Sequence, residues 1–168
     1  LEFRRVLFRS VPEIYPYQAK EAGAFIVATG RGDFPNQVNN SVCFPSILKG
    51  TVMVASRKIT DSMAICAAHS IADFAEARGI APDNIMPTMM EWELFPKVAA
   101  DVAMQAIKEG LARKIMTWDE VYEEAKKDII KAHEMTQLLQ DKGYIKPLDE
   151  QVIRETVAQV VEQIQKQA

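Results

Sequence analysis

The sequence predicts an α/β domain: a short parallel sheet covered by helices, followed by a helical C-terminal extension. Three observations predict it. Residues 24–28, Ala-Phe-Ile-Val-Ala, are apolar without alternation, the pattern of a strand covered on both faces and therefore parallel. That run breaks at Thr29-Gly30-Arg31-Gly32 and leads through Asp33-Phe34-Pro35-Asn36-Gln37-Val38 to Asn39-Asn40 at a helix start, which is how open α/β sheets build ligand sites at their strand ends. Beyond Ala112 the pattern is continuously helical.

Taken in order, residues 12–22 read as a helix with Pro12 early and Gly23 at its stop, although Pro16 permits regular helix only after that point. Residues 24–28 form the strand. Residues 38–54 read as a helix with Phe44, Ile47 and Leu48 on a common side. Because Pro45 is tolerated only in a first turn, that helix should begin between Asn40 and Cys43. Thr60 suits the N-cap of the next helix, where Met63, Ala67, Ile71 and Phe74 share a face and Gly79 marks the end. A loop over residues 80–87 with two prolines leads to a helix over 92–111, Ala-rich at 99–106 and so able to pack close to a neighbour. Thr117-Trp118-Asp119-Glu120 is a capping box, threonine followed at N3 by glutamate. It opens a helix through Val121, Ala125, Ile129, Ala132 and Leu139 that Gly143 ends. Asp149 starts a last helix with the apolar stripe Val152, Val157, Val160, Val161 and Ile164. The last two helices, charged on one face, must dock on something, either the core of this chain or another chain.

A chain of 168 residues can bury one substantial core. A net charge of −3, a pI near 5.5 and the absence of a long Lys or Arg block argue against a nucleic-acid or anionic-membrane surface. No apolar run approaches the roughly 18–20 residues needed to cross a bilayer. Cys43 and Cys66 fit no metal-ligand or redox spacing and sit among apolar neighbours, so buried free thiols in a reducing compartment are expected. His69 and His133 each lack a second histidine at ligand spacing and are read as structural. Residues 1–10 carry three arginines, match no helix face and lack a secretory apolar core, so they are expected to be a non-native leader.

The Asn39-Asn40 pair carries the chemistry. Carboxamides offer one acceptor and two donors without ionising, so they can orient a carboxylate, a hydroxyl or an amide independently of pH. Consecutive helical residues diverge by about 100°, so the two would reach different groups. On spacing alone, however, Asn39 reads as an N-cap and Asn40 as an exposed first-turn residue. Asp33 reads as a turn residue, and Arg31 as its ion-pair partner or that of Glu13. A strand ending in Thr29-Gly30 leaves room for a flat ring to approach the backbone.

The string Glu21-Ala22-Gly23-Ala24-Phe25-Ile26-Val27-Ala28-Thr29-Gly30-Arg31, continuing through Pro35-Asn36-Gln37-Val38-Asn39-Asn40 to Phe44-Pro45, closely resembles the NAD-binding domain of bacterial malic enzymes. Ile59-Thr60-Asp61-Ser62-Met63 and Ile85-Met86-Pro87 extend the resemblance over residues 11–113. It implies a partial Rossmann-like NAD(P)-binding domain with few parallel strands over residues 11–115, and a helical C-terminal extension over 116–168. It also implies part of an NAD(P)-dependent malic enzyme, which oxidatively decarboxylates malate to pyruvate and CO2. Asn39 and Asn40 would then contact the substrate, and Thr29, Gly30 and Asn39 the nicotinamide of NAD or NADP. The family's metal ligands for Mg or Mn, its lysine base and its tyrosine acid belong to regions this sequence lacks, as does any Gly-x-Gly-x-x-Gly loop. The resemblance thus assigns no catalytic or metal-binding residue here, and implies an isolated chain inactive by itself and a cytoplasmic, homo-oligomeric parent without membrane or nucleic-acid partners. Departures are Arg9-Ser10 where the family has Asn-Pro, Gly32 where it has serine, Ser46 where it has glycine, and the Met-rich residues 86–90. The rival readings are a non-enzymatic helical interaction module and a fragment of another Rossmann-type 2-hydroxy-acid dehydrogenase.

Overall fold

The computed structural model describes residues 13–146 and 149–167; the expected leader at residues 1–10 lies outside them. Six α-helices follow one another among these residues: α1 (Pro16–Glu21), α2 (Phe44–Met53), α3 (Asp61–Ala77), α4 (Leu94–Lys108), α5 (Trp118–Asp141) and α6 (Glu150–Gln167). A 3-10 turn, Asn40–Val42, precedes α2. The chain divides into two compact units, one ending at Ile129 and one beginning at Ile130.

Among the described residues the first helix starts at Pro16, where the sequence expects regular helix to begin. Proline disfavours helical backbone in the residue before it, and Tyr15 is extended at φ −76° and ψ 146°. The expected strand at 24–28 is corrected. No strand forms among the described residues, and the only pairing nearby is a single parallel bridge between Thr29 and Gln37. The physical reason is that a strand exists only through a ladder, and no described segment supplies a neighbouring one. Phe25 is 78% exposed and Ile26 44%, so the uniformly apolar run marks faces suited to burial without anything here to cover them.

The helices follow the sequence signals closely. Thr60 caps α3 by accepting from Met63 N at 3.2 Å, and Gly79 ends it at φ +88°, a left-handed conformation that costs side-chain-bearing residues about 1 kcal/mol or more. Thr117 and Glu120 form the reciprocal capping box of α5: Glu120 N donates to Thr117 Oγ1, and Thr117 N donates to Glu120 Oε2. The Thr117 amide and hydroxyl together hold the Glu120 carboxyl below the usual carboxylate range.

The core of the first unit is where α2, α3 and α4 meet the start of α5: Met63 and Ala67, Leu94, Val98, Val102 and Ala103, and Val121 and Ala125. Each large apolar side chain fully buried there contributes roughly 1.5–3 kcal/mol. The Ala-rich stretch of α4 permits the close approach it suggested. A β-carbon on Gly50 would lie 2.2 Å from the Ala99 carbonyl oxygen, so glycine is required at that crossing. The inward face of α2 is consequently Ser46, Gly50 and Met53. Phe44 and Leu48, expected to share a packed face with Ile47, are exposed, because the small residues are what let α2 sit against α4.

One polar network ties the helices together. Asp101 on α4 accepts from Ser70 of α3 at 2.5 Å, from Lys97 at 2.9 Å and from the Trp118 indole at 2.7 Å. Burial pushes the Asp101 carboxyl up, but these three donors and the Lys97 charge outweigh it and leave the group below its ordinary pKa. In the second unit, Ile153, Val157, Val160 and Val161 of α6 are all exposed.

Candidate functional site

The candidate site runs from the end of the apolar run, at Thr29 and Gly30, to the start of the 3-10 turn, where Asn39 is the N-cap and Asn40 the first residue. Thr29 is fixed by its backbone: its N–H donates to Asn36 O at 3.3 Å, and its carbonyl accepts from Val38 N at 2.8 Å. Gln37 Nε2 donates to the Gly30 carbonyl at 3.4 Å. This short bridge places Asn39 one residue beyond a partner of Thr29, so residues 29–30 and 39–40 frame the same loop. A β-carbon on Gly30 would meet nothing closer than Val38 O at 3.9 Å. No contact among the described residues therefore demands glycine at position 30, and the backbone there is open to approach.

Asn39 does act as a cap. Its Oδ1 accepts from Ser41 N at 3.0 Å and from Ser41 Oγ at 2.7 Å, which orients the carboxamide and leaves its amide hydrogens without a partner among the described residues. Asn40 is exposed in the first turn. Arg31 and Asp33 form a two-point pair, Nε to Oδ1 at 2.7 Å and Nη2 to Oδ2 at 2.5 Å. That pairing holds the Asp33 carboxyl down and the Arg31 guanidinium up. The guanidinium also lies 5.6 Å from the centre of the Phe34 ring. Asp33 is thus occupied as an ion-pair partner, in keeping with a turn role.

Asn36 was not singled out by spacing, yet it is the most constrained residue of the loop. It is buried at φ +57°, and its side chain bonds Val27, Pro82 and Ile85. A lone asparagine after proline carries no sequence signal beyond a turn.

Apart from this loop, a concavity of about 390 Å3 lies between α3 and α4 and is lined by Cys66, His69, Ser70, Lys97, Asp101 and Lys108 among others. Its Lys97 and Asp101 satisfy each other, so it is a structural seam. Cys43 and Cys66 are free and half-buried, and burial raises both thiols above their ordinary pKa, the opposite of what a nucleophile needs. No group of His, Cys, Asp or Glu among the described residues could hold a metal ion, and no described helix is long and apolar enough to cross a membrane.

Residues 25–111 match the family model described as malic enzyme, NAD binding domain. The chain is 40% identical over 116 residues to the bifunctional malic/malolactic enzyme of Bacillus subtilis, covering 69% of this chain and 28% of that protein. It is 35% identical over 133 residues to the NADP-dependent malic enzyme of Halomonas elongata, covering 66% and 32% respectively. The crystal structure of Entamoeba histolytica malic enzyme superposes with a TM-score of 0.85 at 60% identity, over 92% of this chain and 32% of that one. The chain therefore spans less than a third of the length of each.

Proposed function

Because this chain belongs to the malic enzyme NAD-binding domain family, we propose that it supplies part of the malate and nicotinamide site of an NAD(P)-dependent malic enzyme. When bound, the oxidised nicotinamide accepts hydride from C2 of malate. The role of this chain is to bind and orient. Asn40, exposed at the first turn, donates to a malate carboxylate. Asn39 holds its carboxamide by capping Ser41 and turns its amide hydrogens toward the substrate and the nicotinamide amide. Thr29 and Gly30 offer an uncovered backbone edge for the ring. The observation that carries this assignment is the combination of an open Gly30 and a carboxamide oriented at one end only.

The exposed apolar residues Phe25, Ile26, Phe44 and Leu48 support a place for this segment within a larger sheet-containing domain of Rossmann type. The divalent ion of the family finds no ligand set among the described residues, so it is assigned to the remainder of the enzyme and no step is derived through it here. The base and acid are assigned outside this chain as well, and the isolated chain should not turn over malate.

Titration of the isotopically labelled chain with NAD and malate tests the proposal. Amide shifts concentrated at Thr29, Gly30, Asn39 and Asn40 are expected. Self-association without any such shifts would favour a helical interaction module, for which the exposed stripe on α6 is the supporting observation.

A further inference from the structure

Between residues 13 and 41 a single residue is buried, and it is polar: Asn36. The loop framed by Thr29 and Asn40 is therefore not seated by an apolar anchor. Its attachment is the Asn36 carboxamide, whose Nδ2 donates to Val27 O at 3.0 Å and to Pro82 O at 2.8 Å, while its Oδ1 accepts from Ile85 N at 2.8 Å. Pro82 and Ile85 lie 46 and 49 residues away in sequence, in the loop that joins α3 to α4. That loop is in turn fastened to the helical frame, because Arg78 donates to Met86 O at 2.8 Å and pairs with Glu91 at 3.1 Å. The Asn36 main chain completes the junction by accepting from Thr29 N.

We infer that Asn36 is a positioning residue: it sets the place of the Thr29 to Asn40 ligand loop relative to the α3–α4 frame, acting through Thr29 and Asn39 and touching neither substrate nor cofactor. The inference rests on the proposed ligand role of that loop. Both amide hydrogens and the carbonyl are used, so no other side chain of similar size can reproduce the set. Aspartate would keep the bond from Ile85 N but face the Val27 and Pro82 carbonyls with an anion. Glycine would keep the left-handed backbone at no steric cost and lose all three bonds.

Two substitutions separate a fastening role from a demand for positive φ alone. In the 168-residue chain, Asn36→Gly should speed amide hydrogen exchange at Ile85 and Val38 about tenfold or more, and Asn36→Asp, which keeps an acceptor for Ile85 N, should speed it at Val38 but less at Ile85. Amides of α4 should be unaffected in both. In a full-length malic enzyme carrying residues 25–111 of this chain, Asn36→Gly should raise KM for malate about tenfold while lowering kcat less. The carboxamide contacts it positions are present in ground and transition state alike. Wild-type exchange at Ile85 and Val38 in Asn36→Gly would overturn the inference, since asparagine would then serve only its backbone angle. Faster exchange with unchanged KM would instead sink the ligand role of the loop, and the positioning role with it.

Discussion

At the scale of single residues, polar side chains decide more here than their number suggests. Asp101 is the acceptor for donors on three helices, and its pKa is lowered in the folded chain. A carboxylate depressed on folding contributes stability that is present above the unfolded pKa of about 4 and is lost as pH falls through the folded value. Asp101→Asn should therefore cost about 2 kcal/mol near neutral pH, and the gap in melting temperature between variant and wild type should narrow as pH is lowered from 4 toward 2. A constant gap would mean the charge of Asp101 is not what matters. Ser46 is the converse case, buried with its hydroxyl unpartnered among the described residues at a position where the family resemblance has glycine. Ser46→Ala should gain about 1 kcal/mol, measurable by denaturant unfolding. None of these roles was legible in the sequence. Asp101 finds Ser70 and Trp118 31 and 17 residues away, and Asn36 finds Pro82 and Ile85 46 and 49 residues away, whereas spacing reports only neighbours within a turn or two.

At the scale of elements, local chemistry was enough wherever an element is made by its own residues. Thr60, the Thr117-to-Glu120 box, Gly79 and Asp149, whose carboxylate accepts from Gln151 N, bounded α3, α5 and α6 to within a few residues. The strand failed as an expectation for the opposite reason: its ladder must come from another segment. The helix crossing at Gly50 was half legible, since the alanines of α4 foretold a close neighbour but not which residue would meet them. Gly50→Ala places a methyl group against the Ala99 carbonyl. Overpacking of about 1–3 kcal/mol is then set against a gain of up to about 1 kcal/mol in helix propensity. The net loss should appear as a melting temperature lowered by a few degrees, and a stabilised Gly50→Ala variant would show that α2 and α4 have room to separate.

At the scale of the whole molecule, the apolar surface left exposed on residues 24–28, on α2 and on α6 outweighs a net charge of only −3. Light scattering of the purified chain should show association that grows with concentration, together with binding of a hydrophobic dye; a monomeric, dye-silent chain would contradict it. Family membership was the most legible property of all, because the long string from Glu21 to Pro45 is specific. The geometry that holds that string in place was not legible. The central claim is that Asn39 and Asn40 bind reacting groups in a malic enzyme, and one pairing of measurements tests it most directly: malate kinetics and melting temperature on Asn40→Ala in a full-length enzyme carrying this segment. The account predicts a fall in kcat/KM of roughly ten- to a thousandfold, about 1.4–4 kcal/mol of transition-state stabilisation, with melting unchanged, since Asn40 caps nothing. Wild-type kinetics in both Asn40→Ala and Asn39→Ala, with only the cap loss of about 1 kcal/mol in the latter, would contradict it.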